Sequence, residues 1–139
     1  MDRPPFIYLE HTADVGVRAY GADRIELFRN AARGMFSIIC ASGDIRPVEA
    51  LDIELAEDDM AYLLADWLEE LLFRFSVDKF LFADFEGEVG DGRVAGKALG
   101  ETYDPDRHEL DTEIKAVTYH GLKVERSGNI WTAEVIFDI

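Results

Sequence analysis

Residues 10 to 16, Glu-His-Thr-Ala-Asp-Val-Gly, bring three groups able to bind a proton or a metal, Glu10, His11 and Asp14, into five positions near the start of the chain. Metal or acid–base chemistry needs such groups aimed at one point by rigid flanks. Phe6 to Leu9 read as a short strand, and Val15, Val17 and Ala19 alternate with Gly16, Arg18 and Tyr20 as a second, so the motif connects two strands. The same residues also suit a plain polar turn in which Asp14 or Thr12 bonds nearby amides. At the far end, Trp131 to Ile139 keeps a strand pattern to the last residue. That leaves Asp138 and the terminal carboxylate of Ile139 as fixed acidic groups, and a carboxylate held at a strand end is a suitable oxygen ligand for a hard cation. The simpler role for Asp138 is to keep an edge strand soluble. Lys115 is the one cation in the apolar-alternating stretch Ile114 to Tyr119.

The elements that must position these groups follow from periodicity. Asp23 and Glu26 have capping-box spacing, and behind them Ile25, Phe28, Ala32, Met35, Phe36 and Ile39 recur at helical intervals, which predicts a helix from about Arg24 to Ile39. Arg29 and Arg33, four apart, lie on one side of it, solvated by default or else facing an acidic partner. Leu51, Ile53 and Leu55 alternate with charged residues as a third strand. Glu57-Asp58-Asp59 opens a second helix whose inward stripe is Met60, Leu64, Trp67, Leu68, Leu71 and Phe75. Phe80 to Phe85, the turn Gly90-Asp91-Gly92 and Val94 to Leu99 read as a hairpin. Residues 100–112 read as a polar connection, Ile114 to Tyr119 and Leu122 to Arg126 as strands, and Ile130 onward as the last strand. The expected fold is a single α+β domain over residues 1–139, mostly antiparallel sheet with two helices packed against it.

Composition restricts the function. Acidic residues number 29 against 14 basic ones, a formal charge of -15, with no run of Lys and Arg. Such a surface repels phosphate, so direct nucleic-acid binding is not expected, and cations or a basic protein are better partners. No apolar run suits a signal peptide or a membrane span, and the single cysteine, Cys40, cannot form an internal disulfide. A cytoplasmic location is expected, with Cys40 as buried filler.

Four separated segments carry a family likeness: Glu10-His-Thr-Ala-Asp-Val-Gly16, Leu27-Phe-Arg-Asn-Ala-Ala-Arg-Gly-Met-Phe36, Lys115-Ala-Val-Thr-Tyr-His-Gly121 and Phe137-Asp-Ile139. Together, in this order and across nearly the whole chain, they resemble archease. The resemblance implies a protein cofactor, not an enzyme, that activates the RtcB-type RNA ligase of tRNA splicing by promoting its guanylylation and multiple turnover. It further implies a divalent metal, described as calcium, held by the residues matching Asp14, Asp138 and Ile139, and a functional requirement for the residue matching Lys115. It assigns no role to His11, which stays an accessory candidate beside Asp14. An all-oxygen set agrees with Ca²⁺ or Mg²⁺ better than with zinc, which prefers nitrogen and sulfur donors. Lys115 is then placed to pair with Asp14 or Asp138, or to contact a nucleotide phosphate at the ligase.

Two other classes compete. A small metal-dependent hydrolase would use His11 as base and Asp14 as ligand, but the chain has no Gly-x-Ser-x-Gly elbow, P-loop or His-rich motif, and its Ser76-Val-Asp-Lys79 falls where the second helix should end. A chaperone-like interaction module without metal is the third.

Overall fold

Alternation of period two and stripes of period 3.6 produce ten elements. The computed structural model describes residues 3–10 and 14–139. In chain order the elements are β1 (Phe6–Glu10), β2 (Asp14–Gly21), α1 (Arg24–Ile39), β3 (Glu49–Ala56), α2 (Met60–Asp78), β4 (Phe80–Gly90), β5 (Arg93–Thr102), β6 (Ala116–Val117), β7 (Lys123–Ser127) and β8 (Ile130–Asp138). One sheet runs β1-β2-β8-β6, with β7 also paired to β8, and the other runs β3-β5-β4. Every pairing is antiparallel. The fold is α+β, as the sequence predicts, and one hydrophobic core joins residues of both helices and both sheets.

Both helices start on an aspartate. The Asp23 carboxylate accepts the Glu26 N–H at 2.9 Å while Glu26 reaches back to the Ala22 N–H at 3.0 Å, which satisfies amides that the first turn leaves without helical partners. Asp59 likewise accepts the Tyr62 N–H at 3.0 Å. The inward face of α1 buries Leu27, Phe28, Met35, Phe36 and Ile39, and that of α2 buries Leu63, Leu64, Trp67, Leu68 and Leu71. Trp67 locks the layers together. Its indole N–H donates to the Phe28 carbonyl at 2.9 Å, and its ring lies edge-on to Phe82 at 5.8 Å and Phe85 at 4.8 Å. Removing a buried ring of this kind costs about 3 to 5 kcal/mol. Cys40 is buried beyond the last turn of α1, as expected of filler. Ser76 to Asp78 form the last turn of α2 and Lys79 is its left-handed cap, φ 60°, so the Ser-x-x-Lys pattern ends a helix. No helix among the described residues is long and apolar enough to cross a membrane.

Three expectations differ from the structure. Arg29 and Arg33 are not simply solvated: both reach Asp84, at 2.7 and 3.2 Å, and donate to the carbonyls of Phe85 and Ala83. A bulge between Phe82 and Asp84 shifts the register of β4 there, and such a bulge frees main-chain groups for α1 to bind. Of the strand expected from Ile114 to Tyr119, only Ala116–Val117 is paired. The supposed polar connection also holds a buried network. Glu101 and His108 are both more than nine-tenths buried, and the Glu101 carboxylate accepts from Arg107, from the Arg46 N–H at 2.6 Å and from His108 Nε2 at 3.1 Å. Burial pushes the Glu101 carboxyl up, but hydrogen bonds from Arg107, the Arg46 amide and His108 outweigh it and hold it down at about 2.

Candidate functional site

Core packing decides which face of the first sheet carries chemistry. Val17 and Ala19 of β2 and Ala133, Val135 and Phe137 of β8 are buried, so alternation sends Asp14, Gly16 and Arg18, and across from them Asp138, Ile136 and Glu134, to the other face. The register sets Asp14 directly opposite Asp138. Residues opposed in an antiparallel pair share a face with β-carbons about 4.5–5.5 Å apart, so the two carboxylates stand together at one end of the sheet. A slip of one residue would send both to the core face. Gly16, two residues on, permits close approach here: a β-carbon would lie 2.6 Å from Ile136 Cδ1 and 2.8 Å from the Val135 carbonyl oxygen.

The other side of Asp138 is held by the segment carrying Lys115. Ala116 pairs with Asp138, and the Lys115 N–H donates to the Asp138 carbonyl at 2.7 Å. The Lys115 side chain is exposed and forms no ion pair with Asp14 or Asp138, one of the roles open to it. Thr118 binds the Ile136 carbonyl through both N–H and hydroxyl, each at 2.9 Å, which steers the chain into the turn at His120 and Gly121.

Asp14 is half-buried, and its Oδ1 is shielded from solvent with no hydrogen-bond partner among the described residues. A desolvated carboxylate oxygen beside a second carboxylate is costly unless a hydrogen-bond donor or a cation compensates it. Asp14 lines a cleft of ≈ 360 Å³ with Leu9, His120, Gly121, Glu134 and Ile136. Sequence reading missed Glu134 and His120. Glu134 was recoverable, because it lies four residues before Asp138 on one strand and period two puts both on one face; His120 lies in a turn and has no such signal. Glu134 is neutralised locally by Arg18 at 3.4 Å and Lys123 at 3.2 Å. Burial raises its pKa, but Lys123 and Arg18 outweigh that and hold it below the usual carboxylate range.

Among the described residues no three His, Cys, Asp or Glu side chains gather closely enough to hold a metal. The two carboxylates that the register pairs at this end are Asp14 and Asp138, with Ile139 immediately following β8. Glu10 closes β1 opposite Val15, not Asp14, and His11 lies outside the described residues. Two carboxylates in register, one with an oxygen lacking a partner, fit a hard, oxygen-liganded cation. A larger cleft, ≈ 590 Å³, lies instead where α1 begins, beside Trp131. Its guanidinium groups are engaged: Arg24 by Asp91, Arg93 by Glu54, and Arg24 and Arg126 stacked over the Trp131 ring.

The chain is similar to known proteins over nearly its whole length. The model of the archease protein family (MTH1598/TM1083) matches residues 6–139. The protein archease of Methanopyrus kandleri is 44% identical over 97% of this chain and 99% of its own, and that of Pyrococcus furiosus is 39% identical over 95% and 96%. The solution structure of Methanobacterium thermoautotrophicum protein 1598 superposes with a TM-score of 0.84 at 35% identity, covering 97% of this chain and 99% of that one. The crystal structure of an archease from Thermotoga maritima, described as a possible chaperone, has the same fold with a TM-score of 0.64 at 24% identity over 100% and 98%. A family model spanning both ends of β2 and β8, with relatives this similar over nearly their whole length, makes this chain a member of the archease family.

Proposed function

We propose that the chain is a cytoplasmic, non-catalytic activator of the RtcB-type RNA ligase of tRNA splicing, and that it binds one divalent cation, Ca²⁺ in preference to Mg²⁺. The ligands in this reading are Asp14, Asp138 and the carboxylate of Ile139, with Lys115 as the group required for activation and His11 as an accessory candidate. The observation that carries it is the pairing of Asp14 with Asp138 at the sheet end, where Asp14 Oδ1 has no protein partner among the described residues. A bound cation would neutralise that pair and fix the end of β8, to which the Lys115 main chain is bonded. The formal charge of -15 suits a protein that meets a basic ligase and leaves the RNA to it. The test is a multiple-turnover ligation assay with the ligase, with and without this chain: stimulation is expected in its presence and no ligation by the chain alone. Unchanged turnover overturns the reading, as does ligation or nucleotide hydrolysis by the chain itself. A metal-independent chaperone-like module, in keeping with the description of the Thermotoga maritima protein, predicts a melting temperature insensitive to chelator.

A further inference from the structure

Of the eight large hydrophobic side chains exposed among the described residues, Tyr62, Phe73, Val77 and Tyr119 stand out because the first three share one helix. Tyr62, Asp66, Glu69, Phe73 and Val77 recur at intervals of three and four, which makes a single stripe along the outer side of α2. At 1.5 Å per residue that stripe is about 22 Å long. Tyr119 extends it: its ring meets Tyr62 edge-on at 5.6 Å and its hydroxyl donates to Glu69 at 3.3 Å. Tyr119 directly precedes His120, which lines the cleft of Asp14.

We propose that this stripe is a docking surface for a Lys- and Arg-bearing face of a partner protein, which, on the reading above, is the ligase. Its charge is negative and incompletely compensated. Burial and the neighbouring Glu57 raise the pKa of Asp66, and Glu69, with burial, raises that of Tyr119. Arg74 is the cation nearest in sequence on α2, and it is taken by Glu70 at 2.8 Å. Nucleic acid and anionic lipid are repelled by such a face. A second copy docked by twofold symmetry would set the same carboxylates against each other. A basic protein face satisfies both features, because its cations meet Asp66 and Glu69 while guanidinium planes and aliphatic stems cover the tyrosine, phenylalanine and valine side chains.

The experiment compares the wild-type chain with the double variant Phe73→Ala/Val77→Ala and with Glu69→Lys. Ligase affinity is measured by calorimetry at low and high salt, together with Ca²⁺ affinity and self-association by sedimentation. Phe73 and Val77 are exposed and lie outside the buried core, and the double variant places alanine in a helix, so it is expected to fold. Its affinity for the ligase should fall about tenfold or more with Ca²⁺ binding unchanged. Glu69→Lys should weaken binding strongly at low salt and less at high salt. Ligase affinities within about twofold of wild type in both variants overturn the proposal. So does wild-type self-association that the variants abolish, since the occupant is then a second copy. A wild-type chain that neither binds nor stimulates the ligase overturns the functional reading, and the docking surface with it.

Discussion

At the scale of single residues, the site is two like charges held face to face, which gives one substitution effects of opposite sign. Asp14 and Asp138 are directly paired, and like charges in that relation destabilise a sheet. Asp14→Asn removes the repulsion and the desolvated charge, so in chelator it should melt at or above the parent temperature. In saturating Ca²⁺ the order should reverse, because the parent gains about 2.7 kcal/mol at a hundredfold excess over Kd and the variant does not. Calorimetric melting with and without Ca²⁺ checks this, and a variant that melts lower in both would make Asp14 a structural residue. Lys115 separates stability from function differently. Its N–H carries the bond to Asp138, and alanine keeps that N–H. Lys115→Ala should therefore change stability by about half a kcal/mol or less while abolishing ligase stimulation; normal stimulation by this variant would remove Lys115 from the mechanism. Residue types at both ends of the chain made the candidate groups legible, since Asp14 and Asp138 end strands of clear alternation. Their proximity was not legible from either stretch, because it depends on register between strands more than a hundred residues apart in sequence.

Elements whose apolar pattern is strong were read well, and those stabilised by a few specific polar contacts were not. The α1 boundaries follow from the capping pair Asp23 and Glu26 and from its apolar stripe, both local in sequence. The stretch from the end of β5 into the following connection, residues 100–112, follows another logic. Its polarity suggests a solvated loop, yet Glu101 and His108 are buried because Arg107, the Arg46 amide and the Asp104 amide satisfy them. Arg46 and Arg107 lie on either side of Glu101 in sequence, so no short window contains the network. It carries a pH dependence of definite sign. The Glu101 pKa is held at about 2 in the folded chain against an ordinary 4.5. The unfolded chain thus takes up a proton first as pH falls, and the contribution of Glu101 is complete above 4.5 and lost progressively between 4.5 and 2. Glu101→Gln should cost about 2 kcal/mol at neutral pH, since it removes the charge that accepts hydrogen bonds from Arg107, the Arg46 amide and His108. It should also flatten the stability profile across that acid window. Urea unfolding of both proteins through the window is the measurement; equal slopes would show that another carboxylate governs acid unfolding.

At the scale of the whole molecule, β2 near one end of the sequence and β8 at the other are neighbours in one sheet, so a cation at Asp14 and Asp138 would join the two ends of the chain. Few oxygens of the described residues are available there, because Glu134 is already committed to Arg18 and Lys123. Each remaining ligand should then carry a large share of the affinity. Extending the chain beyond Ile139 converts the proposed terminal ligand from a carboxylate into an amide carbonyl, which deletes one negative charge from the site. The buried residues of β8, Ala133, Val135, Ile136 and Phe137, are untouched by that change. A C-terminal extension should therefore reduce Ca²⁺ affinity and ligase stimulation much more than it lowers the melting temperature in chelator, and the same extension before Met1 should affect neither. Calorimetric titration of Ca²⁺ into both extended forms and the unmodified chain distinguishes the outcomes. Equal affinities in all three would show that the Ile139 carboxylate is not a ligand, and no binding in any of them would remove the cation from the mechanism and favour a metal-independent module.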